Sequence, residues 1–223
     1  MDPSFWHERW EEGRIGFHQA EVTPLLLAHW SSPRDGGCVF VPLAGKSLDM
    51  LWLASQGYSV LGVELSSLAI EQFFDEASLS PVRDGNEWSA GGITLIEGDV
   101  FEVTAERLAS CAYVYDRAAL IALPPSMRER YLSSVYGALP SSSRGLLITL
   151  EYPQLEKSGP PFSVSESEVR AGLSGWSVDL LERRDILAAQ PKFIEEGVTA
   201  LSTAAYKLEH FGNEQKLFTS SEH

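Results

Sequence analysis

The chain predicts an α/β fold built on a mostly parallel sheet, and three features of its 223 residues carry that expectation. Short β-branched and aromatic runs alternate with stretches whose apolar residues recur at helical spacing. The strand-like runs end in turns rich in charge or glycine, and a single long series of such units implies a parallel sheet covered by helices. The 44% hydrophobic content suits one well-packed core. A single domain is therefore expected over 1–210, with 1–30 as an aromatic N-terminal lid segment and 211–223 as a polar tail.

Taken in order, Cys38-Val39-Phe40-Val41 reads as a strand, and Ser47 to Gln56 as a helix because Leu48, Leu51, Trp52 and Ala54 follow helical spacing. Tyr58 to Glu64 reads as a buried strand and Ser66 to Ala77 as a helix capped by Ser66. Further strands are expected at 93–96, 112–115 and 146–150, with a helix over 125–139 before the last. After Phe162 the pattern gives a helix over 165–173 and two long strands, 176–184 and 198–208, suited to antiparallel pairing at one sheet edge.

Charge and targeting signals exclude several function classes. The formal net charge is -14 and the 17 Lys and Arg residues are scattered, which disfavours nucleic acid and anionic membranes as partners. The N-terminus lacks a signal peptide's basic and apolar regions, and no apolar run reaches the roughly 18 residues of a membrane helix, so a cytoplasmic location is expected. Cys38 and Cys111 flank core strands and are expected to be buried, reduced thiols rather than a disulfide or a reactive nucleophile. No Cys/His metal spacing is present.

In an open doubly wound sheet, ligands bind beyond the carboxyl ends of the strands. Glu64 ends the second strand about 20 residues after the first glycine-bearing loop, where a carboxylate accepts hydrogen bonds from a ribose diol. That loop, Leu43-Ala44-Gly45-Lys46-Ser47, holds one glycine and not a G-x-G-x-x-G turn, which disfavours a pyrophosphate-bearing nicotinamide cofactor. It still suits a phosphate-free cofactor, with backbone near Leu43 contacting a charged amino-acid moiety. Asp99 follows the third strand, as an acceptor for an adenine amine or as an ordinary Gly-Asp turn. Asp116-Arg117 follows the fourth, placing an acid and a planar cation at the sheet's end, either toward ligands or as a local ion pair. Phe5, Trp6, Trp10, Ile15 and Phe17 precede the first strand, and Trp6 and Trp10 share a face on a helix. They are packing residues, or a lid whose aromatic faces cover a sulfonium and exclude water.

At these residues the chain resembles the thiopurine S-methyltransferase family, especially its bacterial members. The likeness runs through Phe5-Trp6-His7-Glu8-Arg9-Trp10, Gly16-Phe17-His18, Val41-Pro42-Leu43-Ala44-Gly45-Lys46-Ser47 and Leu61-Gly62-Val63-Glu64-Leu65-Ser66. It continues through Tyr115-Asp116-Arg117-Ala118-Ala119-Leu120 and Gly159-Pro160-Pro161-Phe162. The resemblance implies a Rossmann-like class I methyltransferase with a seven-stranded sheet, helices on both faces and a reversed last hairpin. S-adenosyl-L-methionine is the implied cofactor, contacted at Trp6, Trp10, Leu43, Glu64, Arg117 and the backbone near Asp99-Val100. Phe17 and Arg117 would also lie on the substrate side.

The implied reaction is methyl transfer to the sulfur of a small aromatic or heterocyclic thiol, releasing S-adenosylhomocysteine, in a monomer with a detoxifying role. Arg117, together with Lys192, would favour or orient a substrate thiolate, and His18 is a weaker candidate for moving a proton. Alternatives are another small acceptor (a natural-product thiol, thiocyanate or halide, or selenium and tellurium species) or a binder without turnover. Two positions depart from the family: Ala44 stands where a cysteine is usual, and Gln190 to Val198 carries Glu195 and Glu196 where relatives are basic, which bears on the substrate end.

Overall fold

The computed structural model describes residues 3–16, 18–30 and 36–211. Phe17 and the tail beyond Phe211 lie outside them. The chain forms two compact units, Met1–Tyr115 and Asp116–His223.

The first unit contains α1 (Pro3–Glu11), α2 (Pro24–His29), β1 (Cys38–Val41), α3 (Leu48–Ser55), β2 (Ser59–Glu64) and α4 (Ser67–Glu76). It continues with β3 (Val82–Asp84), β4 (Glu87–Ala90), β5 (Ile93–Glu97), α5 (Ala105–Leu108) and β6 (Tyr113–Asp116), whose last residue opens the second unit. Strand order here is β3-β4-β5-β2-β1-β6. β1 runs parallel to both β2 and β6, and β2 runs parallel to β5. The chain thus builds outward from β1 to one side and returns with β6 on the other. This reversal creates a ligand crevice at the carboxyl ends of neighbouring strands.

Local chemistry explains the elements. β1 and β2 are apolar on both faces, with Val39, Phe40, Val60, Leu61 and Val63 buried, as a central parallel strand requires. Ser66 caps α4 by accepting from Ala69 N, and the helix buries Ala69, Ile70, Phe73 and Phe74 as one stripe. Gly62 leaves room in β2: a Cβ there would lie 2.4 Å from Leu95 Cδ2 and 3.1 Å from Ala44 Cβ. The first loop therefore packs closely against β2, and a small residue suits position 44.

Three buried groups tie this unit together across long sequence distances. Asp49, in the first turn of α3, accepts from Thr23 N at 2.7 Å, from Thr23 Oγ1 at 2.8 Å and from Tyr115 OH at 2.7 Å. The chain leaving the N-terminal segment is thereby fastened to α3 and β6. A buried carboxylate that loses one donor bears a desolvation penalty. Tyr115→Phe is therefore expected to lower stability by about 1–3 kcal/mol in denaturant unfolding, with an unchanged m-value.

The second unit contains α6 (Ala119–Ala122), α7 (Pro125–Ser134), β7 (Arg144–Glu151), α8 (Glu166–Gly172), β8 (Trp176–Asp185), α9 (Pro191–Glu195) and β9 (Ser202–His210). β9 lies between β7 and β8 and is antiparallel to both, so the two long C-terminal strands pair as expected. α8 begins with a Ser-x-x-Glu cap in which Ser165 Oγ accepts from Glu168 N.

Three expectations need correction. The described residues hold nine strands, not seven. The additional pair, β3 and β4, is a hairpin on the free edge of β5, closed by Gly85-Asn86 with Gly85 at φ 59°. Its turn has the glycine that a two-residue hairpin needs at its first position, but its strands are too short and polar to alternate visibly. The last strand begins at Ser202 and not at Val198, because Val198 N instead donates to Phe193 O and closes α9. Finally, Cys38 is only partly buried, and its Sγ lies 3.1 Å from that of Cys111.

Candidate active site

At the crevice end of the first unit, the backbone turns sharply after β1. Leu43 adopts φ 45° and Gly45 φ 53°. A left-handed leucine costs roughly 1–2 kcal/mol, so the surrounding bonds must hold it. Ala44 N donates to Val63 O at 2.8 Å, and Gly45 N donates to Glu64 Oε2 at 2.8 Å. Ser47 N donates back to Ala44 O. These three amides are committed within the protein.

Glu64 ends β2 beside this turn. Its side chain is buried, with Oε2 receiving Gly45 N and Oε1 receiving Ser66 N, each at 2.8 Å. A carboxylate offers about four acceptor positions, so it can still accept from a ligand while the Gly45 and Ser66 amides fix its orientation. Burial pushes the Glu64 carboxyl above its ordinary range, and the amides of Ser66, Gly45 and Leu65 oppose that shift.

Asp99 and Val100 follow β5, the strand beside β2, where Gly98 N donates to Glu64 O at 2.9 Å. Asp99 is half-buried, and its Oδ1 accepts from Phe101 N at 3.0 Å, capping a 3₁₀ turn over Val100–Glu102. Val100 is buried. Trp10, on α1, is 4% exposed, and its indole lies over the loop: a Cβ at Gly45 would come within 3.4 Å of it. Trp6 is half-buried one helical turn earlier, edge-on to Phe5 at 5.3 Å. Leu43 and His18 are half-buried as well. The structure thus brings Trp10, the Leu43–Gly45 turn and Glu64 together, with Asp99 two residues beyond the end of the neighbouring strand. Lys46, missed by the sequence reading, locks this loop to α4 through a 2.6 Å ion pair with Glu76.

In the second unit, Arg117 is half-buried directly after Asp116. Asp116 is fully buried: Oδ1 accepts from Ala119 N and Leu120 N, and Oδ2 accepts from Tyr131 OH at 2.8 Å and Tyr136 OH at 3.1 Å. Its role is to anchor the start of α6 to α7, which fixes the backbone that carries Arg117. Lys192 is exposed on α9. The acidic departure nearby has a local explanation. Glu196 pairs with Lys157, whose ammonium also lies 5.3 Å from the Phe193 ring centre, and Glu156 accepts from Thr199 N and Oγ1. These contacts link the loop after β7 to the one before β9.

The parallel sheet that reverses at β1, with the buried Glu64 ending its second strand, has the architecture of a Rossmann-like methyltransferase. Solved structures share it. One is a 1,6-didemethyltoxoflavin-N1-methyltransferase from Burkholderia thailandensis, with TM-score 0.62 and 16% identity over 94% of this chain and 87% of that one. Another is an S-adenosylmethionine-dependent methyltransferase from Methanosarcina mazei, with TM-score 0.61 and 15% identity over 86% of this chain and 99% of that one.

The profile of the thiopurine S-methyltransferase family matches residues 1–211. A thiopurine S-methyltransferase of Xanthomonas axonopodis pv. citri is 58% identical over 94% of this chain and 99% of that protein. One from Bordetella pertussis is 55% identical over 95% of this chain and all of that protein. The chain belongs to the thiopurine S-methyltransferase family: it is an S-adenosylmethionine-dependent enzyme that methylates sulfur.

Proposed function

We propose that the acceptor is a small aromatic or heterocyclic thiol of thiopurine type, whose own thiolate attacks the cofactor methyl without a general base. Relatives named for this substrate match nearly the whole chain at 54–58% identity. The observation that carries the cofactor side is Glu64, buried at the end of β2 and held by the Gly45 and Ser66 amides, with the Trp10 indole over Gly45. S-adenosylmethionine, when bound, supplies an electrophilic methyl group on a sulfonium.

The chain's own residues then divide the work. Glu64 accepts from the ribose hydroxyls, backbone at Leu43 meets the amino-acid end, and Asp99 with Val100 receives the adenine. Trp6 and Trp10 cover the positive sulfur with aromatic faces and keep water out. Arg117 orients the substrate thiolate or its ring with a planar cation, while Phe17, His18 and Lys192 complete the substrate end. A heterocyclic thiol ionises near neutral pH and needs only alignment, so orientation supplies much of the acceleration.

Heterocyclic thiols also carry ring nitrogens, which makes the position of the new methyl group decisive. Product from the enzyme, S-adenosylmethionine and a mercaptopurine is expected to show an S-methyl carbon by NMR. A product methylated only on ring nitrogen contradicts the reading. Arg117→Lys is expected to lower kcat by at least about tenfold while leaving cofactor affinity within about twofold, since lysine cannot present a planar fork. Unchanged kcat would remove Arg117 from the reaction.

A further inference from the structure

Cys38 opens β1 and Cys111 precedes β6, the parallel strand beside it. Val39 pairs with Tyr113, so the two cysteines flank the same end of this strand pair. That end is opposite the carboxyl ends that carry Leu43, and the pair plays no part in the methyl-transfer site. Neither residue is in a disulfide, and their sulfurs are 3.1 Å apart. A disulfide needs about 2.05 Å, so closing the gap takes about 1 Å of side-chain movement.

We propose that Cys38 and Cys111 form a peroxide-reactive dithiol that closes reversibly to a disulfide between the starts of β1 and β6.

The two sulfurs have different surroundings, and this assigns their roles. Cys38 is partly exposed, while Cys111 is fully buried. The hydrogen bond between the two thiols lowers Cys38, and the Ser59 and Ser110 hydroxyls and the Arg107 cation add to that effect. Together they outweigh burial and bring Cys38 down to about 7. The same contact and its burial push the Cys111 thiol up. Cys38 is thus the accessible thiolate and Cys111 the resolving thiol. A small neutral oxidant suits this site, because the chain's net charge of -14 repels an anionic disulfide such as oxidised glutathione.

The chemistry balances. The Cys38 thiolate attacks one oxygen of hydrogen peroxide, the O–O bond breaks, and hydroxide leaves while Cys38 becomes a sulfenic acid. The Cys111 sulfur then attacks Cys38 Sγ, forming the S–S bond as the S–O bond breaks, and its proton leaves with the hydroxyl as water. The hydroxide takes up the proton that Cys38 had already lost to solvent. Two thiols and one peroxide thus give one disulfide and two waters.

Intact protein is treated with equimolar hydrogen peroxide under native conditions, and thiols are counted by alkylation and mass spectrometry. Both thiols are expected to disappear together, with one intramolecular Cys38–Cys111 peptide link, and dithiothreitol should restore both. Cys111→Ala should leave a dimedone-reactive sulfenic acid at Cys38, and Cys38→Ala should slow oxidation at Cys111 at least about tenfold. Circular dichroism checks the folding of each variant, and the wild-type peptide map decides alone if either fails to fold. The proposal is overturned if both thiols survive peroxide, if the link is intermolecular, or if Cys111 oxidises as fast without Cys38.

Discussion

Glu64→Ala is expected to weaken S-adenosylmethionine binding by at least about 100-fold in calorimetric titration. Hydrogen bonds to a charged acceptor contribute about 1.5–3 kcal/mol each, and two to the ribose diol amount to about two decades or more in Kd. The substitution also strips Gly45 N and Ser66 N of their acceptor, loosening the turn that holds Leu43 at φ 45°. Circular dichroism should still report a folded protein, since the sheet does not depend on this side chain. Equal affinity in a folded variant would mean that the end of β2 does not hold the cofactor.

The same carboxyl gives the binding a pH dependence. Ribose hydroxyls donate to the ionised form, and burial raises the pKa of Glu64 from its ordinary 4.5. Affinity is therefore retained above the raised value and lost as pH falls through it, in a window that starts above 4.5. Glu64→Gln should bind weakly and show no such fall.

Deleting residues 1–17 is expected to leave a folded core and to reduce turnover by at least about 100-fold. The attachment of the N-terminal segment to the core survives downstream, because Thr23 is held by Asp49 through both its amide and its hydroxyl. The deletion removes Trp6 and Trp10, and with Trp10 the indole over Gly45. Water then reaches the sulfonium side of the turn, and the methyl group and nucleophile lose their fixed alignment. Full activity in the shortened chain would reduce these aromatics to packing residues.

Much of this architecture can be read locally. The alternation of β1, α3, β2 and α4, the Ser66 cap and the placement of Glu64 at a strand end all follow from spacing and residue type. The β3–β4 hairpin escaped because strands of three and four residues, largely polar, show no alternation, although Asp84-Gly85-Asn86 marks its turn. The networks that hold the site rigid escaped for a different reason. Asp49 meets Thr23 and Tyr115 across 26 and 66 residues, and Asp116 meets Tyr131 and Tyr136 across 15 and 20. Nothing in the neighbouring sequence of an aspartate announces a distant tyrosine hydroxyl. The same holds for Lys157 and Glu196, an ion pair across 39 residues that neither local sequence announces.

The decisive measurement is turnover on matched aryl thiols and phenols with S-adenosylmethionine, followed as S-adenosylhomocysteine release. A site that aligns a preformed thiolate should use the thiols and leave the phenols, which are not ionised at neutral pH, at background, a ratio of at least about 100-fold. Comparable rates on both members of each pair would contradict a sulfur-directed mechanism.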